Sequence, residues 1–334
     1  MDIDQPQPTV FYEELSELEH EFDVADLEII RKQWELNAPL YAKREALISK
    51  IPNFWALVFE QSPPEFDQFI QPSDSELFAD CLRSLAVDRF ELADSPRSIS
   101  VKFTFAPNQW FDDEVLEKKF WFRRARDGWT GLVSEPVKIH WKKGKDLTKG
   151  LTDAAAQVFE RERNLLGSSN GAGDAPREPS ADYVTLAKKL ESNEDGIGSF
   201  FTFFGFVSEK QYVSAEESAA ANRAEDDRRK ARKEEGKGEE EPEEDLEDTR
   251  QDVEICPHGG DIAALLAEDI WANAVKYFTS AQEMDDEELS DMEFEEGDWD
   301  VSDEEIDIRA LVKGKRKEKN GTPESGPPSK TQKR

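Results

Sequence analysis

Apolar residues at heptad spacing dominate the first fifty positions of the sequence. One stripe steps alternately by four and three residues and then by seven, and consists of Phe11, Leu15, Leu18, Phe22, Ala25, Ile29 and Leu36. A second stripe consists of Leu27, Ile30, Trp34, Tyr41 and Ile48. This spacing predicts one long helix with two apolar faces. One face can pack on the helix's own domain and the other on a second chain, so the first stripe predicts a homodimer. Packing within one chain is the alternative.

The sequence after this helix predicts a mixed domain. Pro39 predicts a kink or break in the helix. A capping box at Ser73 and Glu76 opens a further helix that carries Leu82 and Leu85. Period-two runs predict four strands, marked by Val87, Phe90 and Leu92; by Ile99, Val101, Phe103 and Phe105; by Phe120 and Phe122; and by Val137, Ile139 and Trp141.

The order of these elements predicts the fold class. Five phenylalanines between Ser199 and Phe206 are expected to fill the core under the sheet. We therefore predict an α+β fold, in which a long N-terminal helix precedes a four-stranded antiparallel sheet covered by helices.

Charge is distributed unevenly along the chain. The formal net charge is −32, yet the 25 residues from Glu283 to Asp307 hold 15 carboxylates and no lysine or arginine. A polyanionic segment attracts a strongly basic partner, although a solubilising tail is the alternative. The composition argues against a disulfide-rich secreted protein, a membrane protein and a protein that binds mainly nucleic-acid phosphates.

These patterns divide the chain into seven predicted segments. They are a disordered N-terminus (1–8), the dimerisation helix (9–50), the first part of the α+β domain (51–213), a charged disordered insert (214–254), the C-terminal helices of the domain (255–282), an acidic disordered tail (283–308) and a basic tail (309–334). Two clusters in the basic tail predict a bipartite nuclear import signal, made of Lys313, Lys315, Arg316, Lys317, Lys330, Lys333 and Arg334. We therefore expect a nuclear protein, with shuttling to the cytoplasm left open. Folding of the basic tail onto the acidic run is compatible with this.

Residue patterns typical of catalysis are missing from the sequence. It contains no phosphate-binding glycine loop and no G-x-S-x-G nucleophile motif. Cys256 and His258 form a lone pair without the further ligands that zinc requires. We therefore expect no enzyme activity, no cofactor and no metal site.

Four segments follow each other in the chain: Ile51-Pro-Asn-Phe-Trp55, Trp141-Lys-Lys-Gly-Lys-Asp-Leu-Thr-Lys149, the aromatic run Ser199–Phe204, and Glu268-Asp-Ile-Trp-Ala-Asn-Ala-Val-Lys-Tyr277, which leads into Met284-Asp-Asp-Glu-Glu288. In this order they resemble the SET/nucleosome-assembly-protein family of histone chaperones, and SET-like members more than longer ones. The resemblance implies a headphone-shaped homodimer whose long helices pair and whose α+β "earmuff" domains bind core histones. It implies a protein that shields histones from non-specific DNA contacts and supports nucleosome assembly and disassembly. An adaptor for a phosphatase or a histone acetyltransferase is the alternative.

Candidate contact residues follow from the resemblance and from charge. The resemblance places histone binding at Glu268 and Asp269. Charge adds Asp112, Asp113 and Glu114 between strands, and Asp285, Asp286, Glu287, Glu288, Asp303, Glu304 and Glu305 in the acidic run. A basic cluster of Arg123, Arg124, Arg126, Lys142, Lys143 and Lys145 is expected to contact DNA weakly or an acidic partner, with pairing to the chain's own acidic tail as the alternative. Gly150–Gly198, Ser214–Glu254 and the basic tail depart from the family pattern, so no function is transferred to them.

Overall fold

A long helix opens the part of the chain that can be described. The computed structural model describes residues 12–168, 180–191, 198–235 and 253–292. Helix α1 spans Tyr12–Ile48 and, at 1.5 Å per residue, is about 55 Å long. It runs through Pro39, so the predicted break does not occur. A proline removes one helical hydrogen bond, and packing of Trp34 and Tyr41 on the same Trp271 holds the helix on both sides of it.

Three short helices and a sheet follow. Helices α2 (Phe54–Glu60), α3 (Pro64–Asp67) and α4 (Pro72–Cys81) lead into strands β1 (Leu82–Asp88), β2 (Ile99–Phe105), β3 (Val115–Arg124) and β4 (Thr130–Ser134). The sheet is antiparallel, with strand order β1-β2-β3-β4. Val87 pairs with Val101, and Phe103 pairs with Leu116. The predicted α+β class, with a long helix and a four-stranded antiparallel sheet, is confirmed.

Strand β1 begins earlier than predicted. The capping box of α4 joins Gln71 and Asp74, rather than Ser73 and Glu76, and the helix ends at Cys81. Leu82 and Leu85 therefore belong to β1, whereas the sequence pattern placed them in the helix. The two predicted strand residues Phe90 and Leu92 lie beyond its end. The prediction failed here because helix and strand follow each other without a connecting turn, so their apolar patterns merge.

The predicted fourth strand is also wrong. Strand β4 is Thr130–Ser134, and the residues expected to form it, Val137, Ile139 and Trp141, come after its end. The chain leaves the sheet there because the Ser134 and Val137 N–H groups donate to the Val207 and Phe204 carbonyls instead of to a strand. Trp141 forms one isolated bridge with Phe111.

Five further helices complete the described residues. They are α5 (Leu151–Ser168), α6 (Ala181–Glu191), α7 (Ala215–Glu235), α8 (Gly259–Leu265) and α9 (Ala274–Met292), with a π-helical turn at Leu266–Ile270 after α8.

Two of these helices lie where the sequence predicted disorder. Helix α7 occupies part of the charged insert, and its buried Ser218 accepts a hydrogen bond from the Arg124 N–H of β3 through its Oγ, which anchors it. Helix α9 continues to Met292, ten residues into the predicted acidic tail. An existing helix extends without a new nucleation cost, and glutamate and methionine favour it. Charge composition alone did not reveal either helix.

The phenylalanine run fills the core, as expected. Phe200–Gly205 form a 3₁₀ turn, and all five phenylalanines from Phe200 to Phe206 are buried. The Phe201 ring centroid lies 5.8 Å from that of Phe78 and 5.4 Å from that of Trp141. Buried Asp74 fixes the start of the turn by accepting hydrogen bonds from the Ser199 hydroxyl and the Phe200 N–H. The run therefore joins the helices to the sheet.

Two ionisable side chains, the buried Lys118 and the partly buried Glu254, hold the end of this turn. Lys118 of β3 donates to the Glu135, Phe204 and Phe206 carbonyls at 3.0, 3.1 and 2.9 Å. Glu254 accepts from the N–H groups of Val207, Ser208 and Cys256. Burial lowers the pKa of Lys118 to about 7 and raises the pKa of Glu254 to about 7. The two side chains thus fix the backbone from Phe204 to Ser208 against the sheet.

Candidate functional site

The two faces of α1 have different environments. Leu27, Ile30, Trp34 and Tyr41 of the second stripe are partly buried, and Ile48 is buried. The first stripe is open to solvent: Leu18, Phe22, Ile29 and Leu36 are 47%, 64%, 60% and 62% exposed, and Leu15 and Ala25 are exposed as well. Phe11 lies outside the described residues. Leu40 and Leu47 extend the exposed stripe, a continuation that sequence reasoning missed although the spacing of seven was visible.

An aromatic joint fixes α1 to the rest of the domain. The ring centroids of Tyr41 and Trp271 lie 4.2 Å apart, and those of Trp34 and Trp271 lie 6.0 Å apart. The Arg44 guanidinium stacks on Tyr41 and Trp271 and donates to the carbonyls of Trp271 and Ala272. Burial lowers the pKa of Arg44. A desolvated cation held by two rings and two carbonyls makes a firm attachment.

The candidate acidic pair lies in the π-helical turn beside this joint. Glu268 is exposed and forms an ion pair with the largely buried Arg89, at 3.3 Å between Oε1 and Nη2. Asp269 accepts hydrogen bonds from the Asn273 amide and from the Tyr277 hydroxyl, at 2.8 and 2.7 Å. Burial and the Asp269 carboxylate raise the pKa of Tyr277 to about 12. Glu268 is therefore available to a partner, while Asp269 mainly shapes the turn.

The other candidate acidic residues lie at the opposite end of the strands. Asp113 accepts from both His140 Nδ1 and the His140 backbone N–H, each at 2.7 Å. Asp112 lies 3.5 Å from the Lys142 ammonium, and Glu114 is exposed. Because β2 is antiparallel to β1, its end at Phe105 is about 20 Å from the end that carries Arg89 and Glu268. The structure therefore does not unite the two acidic sets.

The predicted basic cluster is likewise divided between the two ends of the sheet. Arg123 pairs with Glu91 at 3.5 Å, and Arg124 donates from Nε to the Asn222 amide oxygen of α7. Both lie at the end of β3, and Arg126 follows them. Lys142 donates to the Asn108 carbonyl near the start of β3, and Lys143 and Lys145 follow it in the chain. A single patch of all six residues is contradicted, because the register of β3 separates its parts.

The remaining predicted residues belong to the acidic run and the basic tail. Asp285, Asp286, Glu287 and Glu288 lie within α9. The acidic residues Asp303, Glu304 and Glu305, and the import residues Lys313, Lys315, Arg316, Lys317, Lys330, Lys333 and Arg334, lie outside the described residues.

The described ranges show neither a metal site nor a membrane span. Within residues 12–168, 180–191, 198–235 and 253–292, no group of three or more His, Cys, Asp or Glu side chains is arranged to hold a metal ion. None of the helices in these ranges combines the length and the hydropathy that crossing a bilayer requires.

Comparison with known proteins identifies a family match over the sheet and the helices around it. A family model described as nucleosome assembly protein (NAP) matches residues 48–281, which are 234 of the 334 residues. The chain belongs to the NAP family. This membership agrees with the expectation of a protein that is not an enzyme. It also agrees with the order of the sequence segments that resembled the family.

Individual NAP-family relatives match shorter stretches. The chain is 34% identical over 125 residues to NAP1-related protein 2 of Arabidopsis thaliana, covering 37% of this chain and 46% of that protein. It is 33% identical over 127 residues to protein SET of Drosophila melanogaster, covering 37% of this chain and 45% of that protein. The chain thus spans about half the length of these relatives. A crystal structure of Ccp1 aligns with a TM-score of 0.49 at 27% identity, covering 81% of this chain and 95% of that one.

Proposed function

We propose that this NAP-family chain is a homodimeric histone chaperone that binds core histones through carboxylates and supports nucleosome assembly. Membership of the family over residues 48–281 is the observation that carries the proposal. The acidic run adds support, because its 15 carboxylates without a cation complement basic proteins. A nuclear location is part of the proposal and rests on the two basic clusters of 309–334.

The mechanism is electrostatic competition. Histones would otherwise bind DNA phosphates without specificity, and that binding weakens as salt competes for the same charges. Carboxylates of the chain occupy histone lysine and arginine side chains in place of phosphates. Isolated exposed pairs contribute at most about 1 kcal/mol each, so many weak contacts hold the histone and release it stepwise to DNA.

The exposed stripe of α1 is proposed as the homodimer interface. Leu18, Phe22, Ile29 and Leu36 expose large apolar surfaces along one helix face. Burial of such a side chain contributes about 1.5–3 kcal/mol, so covering the stripe stabilises an assembly. The apolar residues recur at heptad spacing along the helix, which is the pattern that packs against a second helix, and we propose that this helix is the α1 of a second copy.

Neutralising ten carboxylates between Glu283 and Asp298, as Gln or Asn, should weaken binding of core histones by more than tenfold at 0.15 M salt. The reason is the loss of many simultaneous contacts with histone cations. Fluorescence titration with each of the two kinds of core-histone pair at graded salt measures both the affinity and its salt dependence, which should become shallower.

The charged insert provides a control of the same size. It also holds ten carboxylates between Glu234 and Asp248, and their neutralisation changes net charge equally. We expect the control to retain histone affinity within about threefold, since a general charge effect of this size is screened by salt. Equal losses in both variants would show that net charge, rather than the acidic run, governs binding, and unchanged affinity in both would contradict the proposal.

Charge reversal at either end of the sheet tests where the folded domain contacts histones. Glu268→Lys should reduce histone affinity about tenfold, which corresponds to about 1.4 kcal/mol, because it places a cation in the proposed surface. Glu114→Lys, at the far end, should change it less than twofold. If Glu114→Lys reduced histone affinity more than Glu268→Lys in the same titration, the histone contact would lie at the β2–β3 end of the sheet instead.

A further inference from the structure

Lysine side chains gather at the β2–β3 end of the sheet. The segment 142–150 carries Lys142, Lys143, Lys145 and Lys149. It is compact, because the Lys145 N–H donates to the Lys142 carbonyl and Lys149 adopts a φ of 54° next to Gly150 at 81°. We call these four residues, together with Lys188 and Lys189 of α6, the lysine patch.

Helix α6 brings the last two lysines to this segment. The Lys189 ammonium lies 3.4 Å from the Gly150 carbonyl. A small apolar cluster holds α6 on α5, with Leu186 packed among Leu151, Ala154 and Val158. Two distant parts of the sequence therefore form one surface, and one of them belongs to the region that departs from the family pattern.

Nearby carboxylates only partly neutralise the lysine patch. Asp146 accepts hydrogen bonds from the Thr148 and Gly150 N–H groups and from the Thr148 hydroxyl. Asp112 pairs with Lys142. Lys143, Lys145 and Lys188 contact no carboxylate among the residues that the structure describes. The patch is thus a local cationic surface on a chain of net charge −32.

We propose that the lysine patch binds the chain's own acidic segment, residues 283–307. The two are complementary, since the segment holds 15 carboxylates and no cation, and nine of these carboxylates lie in residues 293–307, beyond the end of α9. A tethered partner acts at an effective concentration in the millimolar range. Residues 293–307 span up to about 50 Å when extended, which exceeds the diameter of a small domain, about 30 Å. Docking withholds carboxylates from basic partners until such a partner displaces the segment.

Duplex DNA fits the lysine patch less well. Six or so phosphate contacts lose about a thousandfold or more in affinity between 50 and 200 mM salt. The strongly negative chain also repels DNA, whereas the tethered segment is always present.

Carbodiimide cross-linking of the full chain tests the proposal, because it joins a lysine amine directly to a contacting carboxylate as an amide. Mass spectrometry should find Lys143, Lys145 or Lys188 joined to residues 283–307 in 50 mM salt, with at least a fivefold lower yield in 0.5 M salt. Replacing these three lysines by glutamine should also lower the yield of links from Lys142, Lys149 and Lys189 to the segment at least threefold, because half of the charge of the patch is lost. Lys50, Lys102 and Lys276 are also exposed, and their replacement by glutamine is the matched control. This control variant should keep the links between the lysine patch and residues 283–307.

Two outcomes would overturn the proposal. One is a full chain in which 283–307 is linked only to the basic tail 309–334 or to no lysine of the patch. The other is a full chain that binds duplex DNA at 0.15 M salt and loses this binding in the Lys143/Lys145/Lys188 variant. Neither measurement uses a histone, so failure here is distinct from failure of the proposed chaperone function.

Discussion

Leu18→Glu combined with Phe22→Glu should yield monomers of 38.1 kDa at protein concentrations where the unchanged chain sediments at twice that mass. Both side chains lie in the exposed stripe of α1. Losing the burial of two large apolar groups costs about 3–6 kcal/mol, and two carboxylates facing their copies add repulsion. The dissociation constant of the dimer should therefore rise at least about 100-fold, which sedimentation equilibrium measures.

The same helix supplies a matched control. Ala42 and Ala46 are exposed and lie outside both stripes, so Ala42→Glu with Ala46→Glu adds the same two charges to α1. This variant should remain dimeric. Dimers in both double variants, or monomers already in the unchanged chain, would contradict the proposed interface.

Lys118→Met should lower the free energy of unfolding by about 3 kcal/mol or more. The substitution keeps the length of the side chain but removes the Nζ donor from the carbonyls of Glu135, Phe204 and Phe206; the Phe204 carbonyl retains the Val137 N–H, whereas the buried Phe206 carbonyl loses its donor. Each unsatisfied group costs about 1–3 kcal/mol. It also removes Lys118 as the cation close to the partly buried Glu254 carboxyl. Urea unfolding at fixed protein concentration measures the loss.

Lys119→Met is the appropriate control, because Lys119 is the next residue of β3 and points to solvent. It should lower the free energy of unfolding by less than about 1 kcal/mol.

The dependence of stability on pH gives a second criterion for the role of Lys118. The pKa of Lys118 is about 7 in the fold against an ordinary 10.5, so the unfolded chain binds more protons between these values. Stability of the unchanged chain should rise from pH 7 to pH 10, and Lys118→Met should lack that rise. If stability changed with pH in the same way in the unchanged chain and in Lys118→Met, the lowered pKa of Lys118 would be refuted.

Local patterns predicted the parts of the fold that depend on local rules. The alternation from Ile99 to Phe105 predicts strand β2, because successive side chains in a strand face opposite sides. The phenylalanine run predicts a core element because five phenylalanines within seven residues gain most by leaving water, and phenylalanine is among the residues most often buried. Two stripes on one helix predict two packing faces, and one of them is indeed packed on the domain.

Other features depend on contacts between distant residues and were beyond local patterns. The segment around Ile139 alternates like a strand, yet its backbone bonds to two separate parts of the chain: the Val137 N–H donates to the Phe204 carbonyl, and the His140 carbonyl accepts from the Asp112 N–H. Likewise, Arg124 and Lys142 look like one basic cluster in the sequence, but β3 places them at opposite ends. The lysine patch includes two lysines of α6, and this helix reaches the patch only because it packs on α5. Charge counts identify such residues but do not place them.

The joint between α1 and Trp271 gives the long helix a defined rotational setting. Phe22 of the exposed stripe and Trp34 of the joint are twelve residues apart, which at 100° per residue places them about 120° apart around the axis. In a dimer formed through the exposed stripe, this angle determines which way both domains face. The number of residues between the two positions is therefore a geometric parameter of the assembly, since one inserted residue would turn each domain by about 100° around α1 relative to the dimer interface.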